Sequence, residues 1–258
     1  MKKGRDRQGR FLIEGVHLCA EALGSDRLPV LLLYTPSGFR TREIKEVVVR
    51  AQQSGIPNLK INESTLKALA DSTTPQGIIA VMSKRESEAV PGQGHVFVLL
   101  DQVRDPGNAG TIIRTADAAG VDGVCLTTGS VDLYNSKVLR ASQGSIFHLP
   151  VAAEVDPMSV LDTFRKRGHR IFAAEPRAVR THTEVKYPRR FVLVVGNETH
   201  GVSREVAERA DQSIRVPIRG RAESLNVAMA CGVILYEALR QRQKRTTPEN
   251  RQTKRRRP

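Results

Sequence analysis

Residues 96–126 read VFVLLDQVRDPGNAGTIIRTADAAGVDGVCL. The first five are apolar without interruption, too short for a buried helix and rich in strand formers, so they predict a strand covered on both faces. A Pro106-Gly107 turn follows. From 108 to 119 the apolar residues Ile112, Ile113, Ala116 and Ala119 recur at helical spacing, and Gly120 closes the segment. A second short apolar run at 123–126 completes a strand–helix–strand unit, the building block of a parallel sheet.

The same alternation continues outward. Downstream, strands are expected at 146–149, 170–174, 191–195 and 213–216, with helices at 157–167 and 203–210. The last ordered element, 224 to about 240, is apolar on most of its circumference, as a helix buried in a core or against a second subunit would be. Upstream, helices are expected at 16–23, 41–54 and 63–70, and strands at 29–34 and 77–82. Residues 83–94 combine charge, Pro and Gly with no apolar period and read as a linker. The expectation is an α/β protein: a largely parallel sheet preceded by a smaller α/β domain.

The chain has 258 residues, 40% of them apolar, enough for a substantial core. No apolar run approaches the roughly 20 residues of a membrane-spanning helix, and Met1-Lys2-Lys3-Gly4-Arg5 leads into polar residues rather than a signal segment, so the chain reads as soluble and cytoplasmic. Cys19, Cys125 and Cys231 have no paired spacing and suggest neither disulfides nor a zinc site. Of the net charge of +14, residues 1–10 contribute +4 and residues 241–258 contribute +7, leaving +3 on residues 11–240. A compact body with two basic arms fits a polyanionic partner, because each Lys or Arg that meets a phosphate releases counterions. Solvated tails kept for solubility are the alternative. The tail from 241 is too polar to order itself and is expected to be disordered when alone. It has no apolar face for a membrane.

Three loops carry the candidate chemistry: 101–110 after the first strand of the quoted unit, 196–201 after the strand at 191–195, and 217–226 after the strand at 213–216. Each would stand at the carboxyl end of a strand, the edge where open α/β sheets bind ligands. None contains a dinucleotide or Walker-type glycine motif. Asn108 is either an N-cap or a functional amide. Arg114 stands in a helix of small and apolar residues, where a guanidinium needs a carboxylate or phosphate, unless Asp117 pairs with it at i,i+3. Glu198, after a Gly-Asn step, is an ion-pair partner, a general base or a helix cap. Ser224 is the expected N-cap of the last helix, and Asn226 falls in its first turn. The six histidines lack ligand spacing, and no metal is expected.

Together these segments resemble the motifs of the SpoU family of RNA ribose 2′-O-methyltransferases, within the SPOUT superfamily. The resemblance rests on Asn108-Ala109-Gly110-Thr111-Ile112-Ile113-Arg114, on Val195-Gly196-Asn197-Glu198 with Gly201-Val202-Ser203, and on Val216-Pro217-Ile218 through Glu223-Ser224-Leu225-Asn226. Residues 11–82 are similar to a small substrate-binding domain that many members carry. The resemblance implies a C-terminal trefoil knot, S-adenosylmethionine as cofactor, no metal, and a homodimer formed through the knotted domain. Set beside the basic arm 1–10, linker 83–94 and basic tail 241–258 read above, it implies an RNA-binding domain at 11–82 and a knotted methyltransferase domain at 95–240. Gly196, Val216 and Leu225 would give backbone contacts to the cofactor, and Thr127 and Ile218 would line its site. Arg114 would be catalytic, Asn108 and Asn226 would position the ribose and Arg114, Glu198 would hold Arg114 or Asn108, and Ser224 would complete the network. The implied substrate is RNA, with 23S-type ribosomal RNA favoured over transfer RNA. A non-catalytic RNA-binding or ribosome-assembly protein on the same fold is the alternative.

Overall fold

The computed structural model describes residues 2–84 and 92–246. It divides into two compact units, the first formed by Met1–Glu88, Asp105–Arg114 and Val131–Pro150, the second by Ala89–Arg104, Thr115–Ser130 and Val151–Pro258.

The first unit begins with α1 (Lys2–Gln8), β1 (Arg10–Glu14), α2 (Val16–Gly24), β2 (Leu31–Tyr34), α3 (Arg42–Gln53), β3 (Asn58–Lys60), α4 (Glu63–Leu69) and β4 (Ile78–Ser83). Its sheet has the order β1-β4-β2-β3, with β1–β4 and β4–β2 antiparallel and β2–β3 parallel. In α3 the residues Ile44, Val47, Val48 and Ala51 are buried, the one-sided stripe that lets a helix of otherwise charged residues lie on the unit's core. Asn62 caps α4 by accepting the Thr65 N–H at 2.8 Å. Entry into β4 requires glycine at 77, because φ is +94° and a Cβ there would lie 2.7 Å from Gly38 Cα.

The chain continues through β5 (Val96–Leu100), α5 (Pro106–Ala118), β6 (Gly123–Thr127), α6 (Ser136–Ser142), α7 (Ser145–His148), β7 (Val151–Val155), α8 (Pro157–Lys166), β8 (Arg170–Ala174), β9 (Arg180–Thr181), β10 (Phe191–Val195), α9 (Arg204–Glu208), β11 (Gln212–Arg215) and α10 (Val227–Thr246). Strands β5 to β11 form one seven-stranded sheet, order β7-β6-β5-β10-β8-β11-β9, in which every neighbouring pair is parallel. All residues of β5, β6 and β10 are buried, as the unbroken apolar runs require. Phe97, Phe164, Ile171, Val192 and Val194 join one core cluster there. No helix among the described residues is long and apolar enough to cross a membrane.

Several expectations change. Residues 146–149 are not a strand: α7 occupies Ser145–His148, and the sheet edge is β7 at Val151–Val155. Gly144, at φ +89°, turns the chain into α7, and a four-residue apolar run carries no period that separates strand from buried helical turn. Residues 131–150 cluster with the N-terminal sheet. There Phe11 lies 4.4 Å from the Tyr134 ring, and Asp71 accepts from Ser136 Oγ at 2.6 Å and Arg140 Nη2 at 3.2 Å. Residues 2–8 of the basic arm are helical, and Arg10 already belongs to β1. Of the expected linker, residues 85–91 lie outside the described residues, as do 247–258 of the expected disordered tail. Residues 241–246 are helical in α10, because Gln241 Nε2 donates to Val185 O at 3.0 Å while its Oε1 accepts the Tyr187 N–H at 3.2 Å.

Candidate active site

Because the seven strands are parallel, the loops after β5, β6, β10 and β11 leave from one edge. β5 and β10 are neighbours, but the chain continues from β5 to β6 on one side and from β10 to β11 on the other. This reversal of direction is where an open parallel sheet leaves a crevice.

The loops on either side of that crevice are stitched together. Asp101 Oδ2 accepts the Ser203 N–H at 2.6 Å, Gln102 O accepts Asn197 Nδ2 at 2.9 Å, and Glu198 Oε2 accepts the Arg104 N–H at 3.3 Å. Gln102 N–H also donates to Thr127 Oγ1 at 3.0 Å, bringing the end of β6 into the same network. To make both bonds Gln102 adopts φ +54°, the left-handed region that costs a residue bearing a Cβ. Within the second loop Asn197 and Gly201 exchange backbone bonds of 2.9 Å each, and Asn197 Oδ1 accepts from Thr199 N. Gly196 is buried, and a Cβ there would lie 2.1 Å from Gly201 C and Val202 N, so backbone crosses backbone and only glycine fits. Asp101 is 1% exposed, and its Oδ1 has no hydrogen-bond partner among the described residues.

In the third loop Val216, Pro217 and Ile218 are half-buried, while Ser224, Leu225 and Asn226 are exposed. Ser224 is not the cap of α10. The helix starts at Val227, and Asn226 caps it, its Oδ1 accepting from Ala228 N at 2.9 Å and Met229 N at 3.3 Å. Nor does Asn108 cap α5. Asp105 Oδ1 accepts the Asn108 N–H at 2.7 Å and Pro106 takes the first helical position, which leaves Asn108 inside the first turn. A carboxylate at that end also suits the helix dipole. Arg114 is exposed farther along α5. Glu198 is exposed and bonds the first loop, while Ser203 takes the N-cap position of α9.

The structure therefore joins Thr127, Gly196 and Glu198 in one local framework and leaves Ser224 and Leu225 on an open loop. Asn108 and Arg114 cluster with the first unit, and the other candidates with the second. Asp101, Gln102 and Asn197 were missing from the sequence-derived set. A polar residue directly ending an unbroken apolar run was the signal for Asp101, whereas the positive φ of Gln102 leaves no trace in composition. Among the described residues no group of His, Cys, Asp and Glu is gathered as a metal would need. Burial pushes all three thiols up to about 12, so they stay protonated and inert at neutral pH.

Residues 95–236 match the SpoU rRNA Methylase family and residues 1–80 match the MRM3-like substrate binding domain. The chain is 36% identical over 242 residues to the 23S rRNA (guanosine(2553)-2′-O)-methyltransferase RlmP of Bacillus subtilis, covering 91% of this chain and 90% of that one. Among solved structures it is similar to the SpoU methyltransferase AviRb of Streptomyces viridochromogenes in complex with AdoMet, with TM-score 0.86, 28% identity and 94% of each chain covered. It is also similar to the AdoMet-bound rRNA methyltransferase of Sinorhizobium meliloti, with TM-score 0.78, 32% identity, and 93% of this chain and 90% of that one covered. With the loops of its three motifs leaving one edge of a parallel sheet and more than half of its length matched, the chain belongs to the SpoU rRNA methylase family of S-adenosylmethionine-dependent RNA methyltransferases.

Proposed function

We propose that the protein transfers the methyl group of S-adenosylmethionine to the 2′-hydroxyl of a ribose in ribosomal RNA of the 23S type. The observation that carries this reading is the stitched crevice at β5 and β10, where Asn197, Glu198 and Ser203 are held by backbone and side-chain bonds to residues 101–104. The named activity of the Bacillus relative supports the choice of RNA.

The residues present suit the cofactor. Val216, Pro217 and Ile218 are only half-covered and Leu225 is 41% exposed, apolar surface that an adenosyl group would bury, and Gly196 offers backbone with no side chain in the way. When bound, S-adenosylmethionine supplies a methyl group on a positively charged sulfur that departs as a neutral thioether. The chain's task is then to hold the ribose in line and to steady the 2′-oxygen while its proton passes to solvent water. Arg114 does the second: proteins do not deprotonate a guanidinium, so its N–H groups orient the adjacent phosphate and stabilise the developing oxyanion rather than act as a base. Asn108, in the first turn of the same helix, and Asn226, through its side-chain NH2 because Oδ1 caps α10, position the ribose. Glu198 keeps the second loop in place by its bond to Arg104 N–H, and Ser224 completes the polar network. Thr127 supports the site through Gln102.

Residues 11–82 serve as the RNA-binding domain and 95–240 as the methyltransferase domain. The segment after β10 threads a trefoil knot, a reading supported by the backbone crossing at Gly196 and by β10 lying between β5 and β8. Two copies pair through α10, where Met229, Val233 and Tyr236 leave an apolar stripe 60%, 42% and 51% exposed at helical spacing.

Labelled methyl from S-adenosylmethionine, offered to separated large-subunit rRNA, small-subunit rRNA and tRNA, tests the proposal. Label is expected in a 2′-O-methyl nucleoside of the large-subunit fraction. Arg114→Ala is expected to abolish it while RNA affinity stays within a few-fold. Label in tRNA alone overturns the substrate, and no label with no cofactor binding leaves a non-catalytic RNA-binding protein.

A further inference from the structure

At the amino ends of the strands, the edge opposite the candidate active site, the second unit gathers Arg165, Lys166, Arg167, Arg170, Arg189 and Arg190, all exposed. Their grouping is fixed by backbone. Arg170 N–H donates to Arg190 O at 3.2 Å, Arg190 Nη1 donates to Arg167 O at 2.9 Å, and Arg167 Nη1 donates to Gly92 O at 2.7 Å. These acceptors are neutral carbonyls, so the guanidinium charges are anchored without being cancelled. Among the described residues the nearby carboxylates are engaged elsewhere. Asp122 Oδ2 accepts the N–H groups of His95 and Val96, Asp211 Oδ2 accepts that of Ile171, and Asp162 pairs with Arg209 at 2.5 Å. Of the six cations, among the described residues, Arg165 alone pairs with one of them, Asp211 Oδ1 at 3.8 Å.

We propose that this edge is a second RNA-contacting surface, which grips the phosphate backbone of a large folded RNA far from the methylated nucleotide. The inference rests on the RNA-methylating reading above. A preorganised cationic surface, uncancelled among the described residues, suits phosphates better than a protein partner, since it offers charge and forked donors. It reads no sequence, which fits a chain without Trp and with few aromatic rings to stack bases. Five-residue strands at about 3.3 Å per residue set the two edges about 17 Å apart, so one RNA must extend around the sheet to meet both. A hairpin cut to the few nucleotides around the modified position reaches only the first.

The test uses the full chain with two RNAs, a complete large-subunit rRNA transcript and a short hairpin cut around the modified position. The variant is Lys166→Glu with Arg189→Glu, because these two side chains make no hydrogen bond among the described residues and their loss leaves the backbone anchoring intact. For the transcript, Kd is expected to rise about tenfold, and the slope of log affinity against log salt to flatten by about 1.5, near 0.7–0.9 for each lost phosphate contact. Methylation of the hairpin stays within twofold of the unaltered protein. An unchanged Kd and slope on the transcript overturn the proposal, and so does equal loss on both RNAs with melting temperature preserved. If the reversal variant melts early, Lys166→Gln with Arg189→Gln is measured by the same criteria. An unaltered protein that methylates neither RNA would instead sink the proposed function.

Discussion

Gln102 ties together the ends of three strands: its N–H reaches Thr127, its carbonyl receives Asn197, and its neighbour Asp101 holds Ser203. The backbone conformation that allows this, φ +54°, costs a residue with a Cβ on the order of 1 kcal/mol. Gln102→Gly keeps both backbone bonds and relieves that cost, so the melting temperature is expected to rise by about 2–4 °C with cofactor affinity within twofold. A lower melting temperature would mean that the packing of the Gln102 side chain over Gly129 outweighs the backbone strain. At this scale the sequence was legible where chemistry is tied to a motif and poorly legible where it is tied to a cap. Asn108 and Ser224 both looked like helix caps, yet Asp105 and Asn226 take those places. One reason is that Pro106 can occupy the first helical position, so the helix begins before the small-residue run that seemed to announce it.

Among the elements, α8 and β8 meet around His169, a turn between two aromatic rings. Its Nδ1 lies 3.2 Å from Phe164 O and its Nε2 3.1 Å from Gly94 O, with the Phe97 and Phe164 rings 5.4 Å and 5.3 Å away. Burial lowers its pKa below the ordinary 6.5, and Arg190 and Arg167 push the same way, against the two carbonyls. The unfolded chain therefore binds the proton more readily than the folded one. The stability this residue confers is present above about pH 6.5 and is lost as pH falls from there through the folded pKa. Melting temperature is expected to drop between about pH 7.5 and 5.5, and His169→Phe to melt lower overall but with a flatter profile over that range. An equally steep profile in the variant would assign the acid sensitivity to other groups. The parallel strands were readable because burial on both faces forces unbroken apolar runs, as in β5 and β10. β1 was missed, a short strand with alternating burial, and so was β7, hidden behind the apolar residues of α7. Short apolar segments take their form from neighbours rather than from their own period.

For the whole molecule, the uneven charge is the dominant trait, and the folded boundary decides how to probe it. Gln241 fastens α10 to the segment around Val185 and Tyr187, so a cut at 241 removes structure as well as charge. Removing 247–258 takes away five basic residues and one acid, net +4, and leaves that fastening in place. This shorter deletion is expected to weaken RNA affinity and flatten its salt dependence with no change in melting temperature. An unaltered salt slope would make the tail a solubilising segment only. The longer deletion, from 241, is expected to melt earlier.

The placement of β10 between β5 and β8 also bears on synthesis of the chain. Translation delivers β5 first and its central partner last of the three, an interval of roughly 5–20 s at about 5–20 residues per second. Throughout that time the nascent polypeptide presents Val96–Leu100 with one hydrogen-bonding side open. The period of greatest danger from illicit pairing with a neighbouring nascent chain thus falls on the translating ribosome, before release, and ends when Phe191–Val195 slots into the gap.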